Sequence, residues 1–473
     1  MKAIHQNLYL SYLLCYQRIE KSKINMRNIL VIGAGRSTSS LIKYLLDNAR
    51  EQDWFLKLVD KDINMAKDKV GNHPNAEAAE LNIENDIQRV SMISEADIVV
   101  SMLPAFMHTK VAKDCVALKK NMVTASYISD EMRELNDEAE KAGVLIMNEI
   151  GVDPGIDHMS AMKVIDEIRE DGGEMVQFES FTGGLVAPES DNNPWNYKFT
   201  WNPRNVVLAG AGGAVKFIQE GKYKYIPYHQ LFRRTEIIEV PNYGNFEGYA
   251  NRDSLKYREI YGLDDIPTLF RGTFRRPGFC RAWDVFVKLG ATDDSYQLED
   301  SEDMTYREFI NLFLAYNPHD SVELKLMHYL HIDHDDDIMH KLKWLGIFED
   351  EKIGIKNATP AQVLQKLLGS KWQLEPQDKD MIVMHHIFGY MKNGERKQME
   401  SSMVKIGADQ TYTAMAQTVG YPVGIAVKLI LNNKIDLKGV HLPIDKKVYT
   451  PVLKELEHYD ITFLEREVPY KEG

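Results

Sequence analysis

The chain has 473 residues, of which 44% are hydrophobic and 27% charged, a composition typical of globular proteins. This length predicts two or three domains. The net charge of −13 argues against nucleic acid or an anionic membrane as a partner, and the three scattered cysteines indicate reduced thiols in a cytoplasmic protein.

The first 25 residues contain a short apolar run, NLYLSYLLCY, which imitates the core of a signal peptide. The run is rich in tyrosine, no small-residue cleavage site follows it, and it is too short to span a bilayer. Met26 stands directly before the first obvious strand. We therefore expect residues 1–25 to be a non-structural extension, and a chain that starts at Met26 to fold and keep its activity. No later segment resembles a membrane span.

A strand, a glycine turn and an amphipathic helix follow Met26. The run NILVIGAGRSTSS places a strand at 29–32, then Gly33 and Gly35, then a helix. This is the context of a dinucleotide-binding fingerprint, in which the glycines permit a tight turn and bring the backbone close to a pyrophosphate at the helix N-terminus. Thr38 takes the third glycine position, which departs from the usual pattern.

The next strand is predicted at residues 54–60 and ends in an acid. Asp60 lies 27 residues after Gly33, near the separation expected for a carboxylate that binds the adenosine ribose. Such an acid favours NAD because it repels a 2′-phosphate, whereas the neighbouring Lys61 could neutralise that phosphate. We expect NAD or NADP as the cofactor, with a slight preference for NAD.

Four more strands are predicted, at 79–83, 96–104, 121–129 and 143–151, with helical segments between them. This alternation predicts an α/β fold with a doubly wound parallel sheet of the Rossmann type, which binds ligands at the carboxyl ends of its strands. The runs SMLP, TASY and NEIGVDPG all lie at such ends. The run MNEIGVDPGIDH, with its glycines and acids, is therefore expected to form the floor of a nucleotide crevice.

The second half of the chain changes character twice. Residues 154–290 alternate strand-like runs with glycine turns, and residues 293–370 are rich in helical patterns. From Asp380 onward the pattern predicts a β-hairpin that turns at Asn393 and Gly394.

Six long motifs resemble, in sequence and in order, those of the saccharopine reductases, the glutamate-forming saccharopine dehydrogenases. They are MNEIGVDPGIDH, FTGGLVAPESDNNPWNYKFTW, NRDS, RGTFR, LKWLGIF and YTAMAQTVGYPVGIAVK. The resemblance implies a Rossmann domain over 26–153 that is joined by a returning helix near 412–428. It also implies a mixed α/β substrate and dimerisation domain over 154–290 and 375–473, a small helical domain over 291–374, and a homodimer.

The implied reaction belongs to lysine metabolism. The secondary amine of saccharopine is oxidised to an imine as hydride passes to NAD or NADP, and water then releases L-glutamate and α-aminoadipate semialdehyde. Saccharopine carries three carboxylates, which suit the planar donors of arginine. By resemblance, Arg252 and Arg275 hold the substrate, Thr273 and Phe274 lie beside them, and the Ser126 and Tyr127 hydroxyls add contacts.

The resemblance also assigns cofactor contacts. The residues expected to bind the pyrophosphate are Gly33, Ala34, Gly35, Arg36 and Ser37. The adenosine ribose is expected to contact Asp60, Lys61 and Asp62. The adenine is expected to lie beside Leu81 and Asn82. Met102 is expected to lie near a ribose. The residues expected near the nicotinamide are Thr124, Gly151, Val152 and Asp153. Trp201 is expected to reach the cofactor from the second domain.

A general acid or base is expected among the ionisable groups of the crevice loop. Asp153 is the first candidate, followed by Asp157 and His158. Asp157 stands at the predicted start of a helix, where an aspartate commonly acts as an N-cap.

No metal site is predicted. The run HIDHDDDIMH is interpreted as a solvated acidic turn between two helices, because its spacing matches no tight ligand set. His385 and His386 lie in a strand and point to opposite faces, so both cannot easily bind one ion.

Two alternatives to a saccharopine reductase remain open. One is an imine reductase of polyamine synthesis that resembles carboxynorspermidine synthase. The other is a dinucleotide-binding regulator without catalysis, which the intact arginine and TASY positions disfavour.

Overall fold

The computed structural model describes residues 26–209, 211 and 213–470. Residues 1–25, and the expectation about them, lie outside this described part. The strands, numbered in chain order, are β1 (Arg27–Ile32), β2 (Trp54–Asp60), β3 (Ala76–Glu80), β4 (Ile98–Ser101), β5 (Asn121–Val123), β6 (Leu145–Met147), β7 (Glu174–Val186), β8 (Val215–Gln219), β9 (Lys222–Ile226), β10 (Thr235–Val240), β11 (Gly244–Ala250), β12 (Thr268–Arg275), β13 (Asp380–Lys392), β14 (Glu395–Ile406), β15 (Gly439–His441) and β16 (Leu464–Val468).

The helices are α1 (Ser39–Ala49), α2 (Ile63–Val70), α3 (Asp86–Glu95), α4 (His108–Ala117), α5 (Asp130–Arg133), α6 (Asn136–Ala142), α7 (Ile156–Glu170), α8 (Pro203–Val207), α9 (Tyr257–Ile260), α10 (Phe279–Leu289), α11 (Tyr306–Leu312), α12 (Val322–Leu330), α13 (Asp337–Leu345), α14 (Pro360–Lys371), α15 (Ala414–Leu431) and α16 (Lys446–Leu456). The chain forms two compact units. Unit 1 contains the residues up to Met159 together with Ala416–Tyr459, and unit 2 contains Ser160–Met415 together with the residues from Asp460 onward.

Unit 1 is built on a seven-stranded parallel sheet with the order β15-β6-β5-β4-β1-β2-β3. The order reverses between β1 and β4, so the residues after these two strands flank a topological switch point. The apolar side chains of β1 are buried from Ile29 to Ile32, as expected for a strand covered on both faces. The predicted doubly wound parallel sheet is confirmed.

Several predicted strand bounds were wrong. The third strand is Ala76–Glu80 rather than 79–83, because Leu81 and Ile83 are buried in the loop after it and imitate strand residues. The fourth, fifth and sixth strands are also shorter than predicted, since their polar ends turn away from the ladder. The seventh strand, Gly439–His441, was not predicted, because three residues give no periodic signal.

Helix α15 covers the returning segment predicted near 412–428 except for its first two residues, and it extends to Leu431. Within unit 1 it approaches α1 through glycines, since a Cβ at Gly420 would meet the backbone N of Leu41 at 2.5 Å. By length and by a mean hydropathy of 1.4, α15 could cross a membrane, but 72% of that stretch is buried inside the protein. It is therefore the core helix of a folded unit.

Unit 2 is built on a nine-stranded mixed sheet. Its main path is β10-β11-β12-β7-β13-β14-β16, and β8 and β9 branch from β12. The predicted hairpin is confirmed: β13 and β14 pair from Met381 and Ile406 to Lys392 and Glu395, with positive φ at the two turn residues. One hydrophobic core joins this sheet to helices α10 to α14, so the segment predicted as a helical domain shares its core with the sheet.

Candidate functional site

The glycine turn of unit 1 follows β1 and leads into α1. Gly33 has a φ of +107°, and a Cβ there would meet the carbonyl oxygen of Met102 at 2.7 Å, so only glycine fits. At Gly35 a Cβ would meet nothing within 4 Å, which leaves room for a ligand beside the backbone. Thr38 is buried, and its hydroxyl donates to the Gly35 carbonyl at 2.7 Å. Thr38 thus closes the turn that a third glycine usually forms.

The carboxylate of Asp60 binds the backbone of this turn. It accepts the N–H of Ala34 at 2.7 Å and the N–H of Asp62 at 3.0 Å. Lys61 and Arg36 flank this contact with exposed side chains, and neither forms an ion pair with a residue that the structure describes. The two cationic side chains, of Lys61 and Arg36, are therefore available to bind a phosphate group next to Asp60.

The other predicted cofactor positions of unit 1 lie at the carboxyl ends of the strands, as expected. Leu81 and Asn82 follow β3, Met102 follows β4, Thr124 follows β5, and Gly151, Val152 and Asp153 follow β6. Together with Ser37 after the glycine turn, they share the edge of the sheet at which parallel strands bind nucleotides. The turn, the free space at Gly35 and this edge fit a dinucleotide.

Two polar chains organise the loops after β5 and β6. The Tyr127 hydroxyl donates to Asp153 Oδ1 at 2.9 Å, and both side chains are half-buried. Deeper in the unit, Glu149 Oε2 lies 2.8 Å from His158 Nε2, and Glu149 Oε1 accepts the N–H of Ile128. Asp153 is the more accessible of the two carboxylates, as a general base must be.

Asp157 and His158 serve the local structure. Asp157 is the second residue of α7 rather than its N-cap, but its carboxylate accepts the N–H of Gly155 at 2.6 Å, which satisfies a backbone donor at the helix start. The ring of His158 is fully buried and bound to Glu149.

Ser126 is bound to a histidine that the sequence did not single out. His108 Nε2 lies 2.6 Å from Ser126 Oγ, and His108 Nδ1 lies 2.8 Å from Ser101 Oγ. Burial lowers the pKa of His108 to about 4, so the ring is neutral at pH 7.

Arg275 is the most unusual charge of unit 2. Its side chain is 5% exposed, and its guanidinium carbon lies 5.0 Å from the ring centre of Tyr197, 5.7 Å from that of Tyr249 and 5.4 Å from that of Phe279. One N–H donates to the carbonyl of Phe274, and Nε has no partner. Among the described residues no carboxylate forms an ion pair with this arginine, so the site lacks an anion.

Three buried hydroxyls of unit 2, one of them on the Tyr197 ring beside Arg275, were not revealed by the sequence. Thr182 on β7 pairs in register with Thr273 on β12. Within the described part of the chain, the buried hydroxyls of Thr182, Tyr197 and Thr200 have no hydrogen-bond partner. A Cβ at Gly184 would meet Thr200 Oγ1 at 2.8 Å, so the glycine leaves room there. In the sequence, only their position within the motif FTGGLVAPESDNNPWNYKFTW set these three residues apart.

The remaining predicted residues of unit 2 are more accessible. Arg252 is exposed and has a φ of +53°. The neighbouring Asp253 lies 3.4 Å from the Lys216 ammonium and caps a short helical turn. Thr273 is half-buried, and Trp201, which follows Thr200, is 39% exposed.

The histidine-rich runs bind protein groups. His331 caps the end of α12 and Asp336 caps the start of α13, so residues 331–336 form the predicted turn between two helices, whereas the rest of the run HIDHDDDIMH lies in the first turn of α13. His385 lies 2.8 Å from the Ser402 hydroxyl, and His386 lies 2.8 Å from that of Ser160. Across the described ranges, no cluster of three or more His, Cys, Asp or Glu side chains could hold a metal ion.

Two family models match the chain. The model described as saccharopine dehydrogenase NADP binding domain matches residues 29–147, and the model described as saccharopine dehydrogenase C-terminal domain matches residues 151–461.

Curated relatives and a solved structure agree with the family models. Saccharopine dehydrogenase [NADP(+), L-glutamate-forming] of Schizosaccharomyces pombe is 32% identical over 94% of this chain and 99% of its own. Mitochondrial alpha-aminoadipic semialdehyde synthase of Bos taurus is also 32% identical, over 92% of this chain, and the chain spans about half of that longer protein, 47%. The apo saccharopine dehydrogenase (L-Glu forming) of Saccharomyces cerevisiae superposes with a TM-score of 0.85 at 31% identity, over 93% of this chain and 100% of that one.

Proposed function

Because the chain belongs to the saccharopine dehydrogenase family, we propose that it is an NADP(H)-dependent oxidoreductase that interconverts saccharopine with L-glutamate and α-aminoadipate semialdehyde. The observation that carries this proposal is Arg275, a buried guanidinium that faces three aromatic rings and lacks an anionic partner among the described residues. A substrate with three carboxylates supplies that anion. The unpartnered hydroxyls of Thr182 and Thr200 are further donors for it.

The cofactor accepts or returns a hydride when it is bound. The glycine turn from Gly33 to Ser37 would hold its pyrophosphate, because the backbone there is open and α1 begins behind it. We favour NADP as the cofactor, although Asp60 in the sequence suggested a slight preference for NAD. Asp60 binds the N–H of Ala34 and of Asp62, while Lys61 and Arg36 remain for a 2′-phosphate, and the relatives named for a cofactor are named for NADP(+).

Asp153 is proposed as the general base. The amine must be neutral before it can lose hydride, so a proton has to leave its nitrogen. The Tyr127 hydroxyl donates to Asp153 and thereby stabilises the ionised carboxylate in a fixed direction. The same carboxylate can pass a proton on when water adds to the imine.

A substrate panel tests the proposed function. The purified chain should reduce NADP⁺ in the presence of saccharopine, followed by absorbance of the reduced cofactor, and should oxidise NADPH when given glutamate and the semialdehyde. The value of kcat/KM should be much lower with carboxynorspermidine in place of saccharopine, and also with NAD⁺ in place of NADP⁺. Turnover of carboxynorspermidine but not saccharopine would favour the polyamine alternative, and dinucleotide binding without any turnover would favour the regulator.

The homodimer and the cytoplasmic location remain predictions. Two of the cysteines, Cys115 and Cys280, are buried free thiols, which agrees with a reducing compartment. Sedimentation equilibrium and cell fractionation would test these two predictions.

A further inference from the structure

A buried histidine connects two strand ends of unit 1. Ser101 is the last residue of β4, His108 is the first residue of α4, and Ser126 lies in the TASY loop after β5. The imidazole lies between the two hydroxyls, at 2.8 Å from Ser101 and 2.6 Å from Ser126. Ser101 and His108 are buried, whereas Ser126 is half-buried, so the chain of hydrogen bonds runs from the interior to an accessible hydroxyl.

Both nitrogens of the His108 imidazole lie within hydrogen-bond distance of a serine hydroxyl. Because burial lowers the pKa of His108 to about 4, the ring is neutral at pH 7 and offers one N–H and one lone pair. Charged side chains do not contribute to this shift. Ser101 and Ser126 each lie within hydrogen-bond distance of one ring nitrogen, and the backbone of Leu103 also interacts with the ring. A rotation of Ser126 away from the ring would break its own contact with Nε2 at 2.6 Å. The Ser126 hydroxyl is therefore fixed in direction.

This geometry matters because Ser126 is one of the two TASY hydroxyls expected at the substrate. Resting on the proposed function, we propose that His108 is a positioning residue that holds the Ser126 hydroxyl in the orientation in which it contacts the substrate. His108 does not touch the substrate in this arrangement. It acts only through Ser126, and Ser101 fixes its ring from the other side.

Two amide substitutions separate this role from simple support of the fold. The asparagine amide reaches about as far as Nδ1 and can keep the contact with Ser101. The glutamine amide reaches about as far as Nε2 and can keep the contact with Ser126. His108→Asn should therefore lower kcat/KM for saccharopine by about 5- to 15-fold, the usual loss of one hydrogen bond, while His108→Gln should recover most of it. The opposite ranking, or equal activities, would overturn the proposal.

A double-mutant cycle with Ser126→Ala gives an independent test. If His108 acts through Ser126, then His108→Asn should change kcat/KM by less than about twofold in the Ser126→Ala background. An effect that persists in full in that background would show a role of His108 that does not pass through Ser126. If His108→Asn fails to fold, His108→Ala replaces it in the cycle, because alanine also removes the contact with Ser126.

Two controls keep this inference apart from the proposed function. The Kd for NADPH should stay near the wild-type value in every variant, because the glycine turn is untouched, and a cooperative thermal transition should show that each variant is folded. A wild-type chain that binds NADPH but does not oxidise saccharopine contradicts the proposed function. A wild-type chain that turns over saccharopine, with all His108 variants equally active, contradicts only the role of His108.

Discussion

Arg275 shows what a single buried charge requires. An ion taken out of water costs several kcal/mol unless it finds a counter-charge, and aromatic faces return only part of that cost. The residue type was predictable from the carboxylates of the expected substrate. The three aromatic rings around it were not predictable, because Tyr197 lies in a loop, Tyr249 on β11 and Phe279 at the start of α10, and they share no periodic pattern. His108 escaped prediction for the same reason, since one of its partners ends β4 and the other lies in the loop after β5.

Arg275→Lys should weaken saccharopine use while leaving dinucleotide affinity unchanged. Lysine keeps the charge but loses the planar fork, and a charge-assisted bond to a carboxylate contributes about 1.5–3 kcal/mol, roughly 10- to 150-fold in kcat/KM. Steady-state kinetics and an NADPH titration measure the two effects. The matched control is Arg276→Lys, since Arg276 also lies over a ring, at 4.4 Å from Phe246, and is half-buried. Equal losses in both variants would contradict a specific role of Arg275.

Arg252→Ala extends this test to the second arginine. If Arg252 and Arg275 bind one carboxylate of saccharopine, their effects on kcat/KM should be strongly non-additive. If they bind different carboxylates, the two losses in free energy should nearly add. A pair of variants with wild-type KM and kcat would remove both residues from the substrate site.

Lys61→Ala and Arg36→Ala should each weaken NADPH binding by roughly 3- to 10-fold, because an exposed ion pair with a phosphate contributes only modestly. NADH binding should change little, since NADH has no 2′-phosphate. Fluorescence titration of each reduced cofactor gives the two Kd values. Lys67→Ala is the control, as Lys67 is an exposed lysine on the neighbouring helix α2. Equal weakening of NADH and NADPH would place the two cations elsewhere than at the 2′-phosphate.

At the scale of elements, the sequence of helix α15 alone could not show whether the helix suits a membrane or a protein core. Its apolar composition would suit a membrane, but its glycines are spaced for contact with α1. Its first turn is capped by a strand residue, because Asp380 at the start of β13 accepts the N–H groups of Ala414 and Met415 at 2.5 and 2.9 Å. The sequence predicted the helix, but the contact and the cap come from residues that are far apart in the chain.

Gly420→Ala should destabilise the protein although alanine favours helices. The new Cβ would meet the Leu41 backbone, which cannot move as a flexible side chain can, and overpacking costs about 1–3 kcal/mol. Gly369→Ala in α14 is the matched control, because a Cβ there meets nothing within 4 Å and helix propensity alone should stabilise by up to about 1 kcal/mol. Urea denaturation of both variants should give shifts of opposite sign.

Asp380 should give the protein a measurable pH dependence of stability. Burial raises the pKa of its carboxyl from 3.8 to about 6, even though hydrogen bonds from three backbone N–H groups favour the ionised form. Between pH 4 and pH 6 the folded state therefore binds more protons at this residue than the unfolded state. The contribution of Asp380 to stability thus falls as pH rises through this window, by roughly 3 kcal/mol in total, and is constant above it.

Asp380→Asn removes this titration. The difference in free energy of unfolding between wild type and variant should shift in favour of the variant as pH rises from 4 to 6. Urea denaturation at four pH values measures it. A difference that stays constant across the window would show that Asp380 keeps an ordinary pKa.

At the scale of the whole molecule, the sequence predicted which kinds of sheet and hairpin form better than which segments belong to each sheet and core. Hydrophobic alternation and the glycine turn predicted a parallel sheet in the first part, and the Asn393-Gly394 turn predicted the long hairpin in the second. The alternation could not show that the helices after residue 290 share one core with the second sheet, because that depends on contacts between distant segments. Nor could it show that unit 1 takes its seventh strand from near the C-terminus.

NADPH should stabilise the two units unequally. At 100 times its Kd, a ligand adds about 2.7 kcal/mol to the unit that binds it. Hydrogen exchange should slow in peptides that cover the glycine turn and α1, whereas the hairpin β13–β14 of unit 2 should change little. Mass spectrometry of exchange with and without NADPH tests this. Equal protection of the hairpin would show that cofactor binding couples the two units.

The order of the elements also has a consequence for synthesis on the ribosome. Six strands of the first sheet are complete at Met147, but the edge strand β15 begins only at Gly439, and the edge strand β16 of the other sheet begins at Leu464. At ordinary translation rates the first sheet waits roughly 15 to 60 seconds for its last strand. During this time the nascent chain exposes an unpaired strand edge, and such edges recruit other chains. The protein should therefore depend on chaperones that shield the growing chain until β15 has emerged.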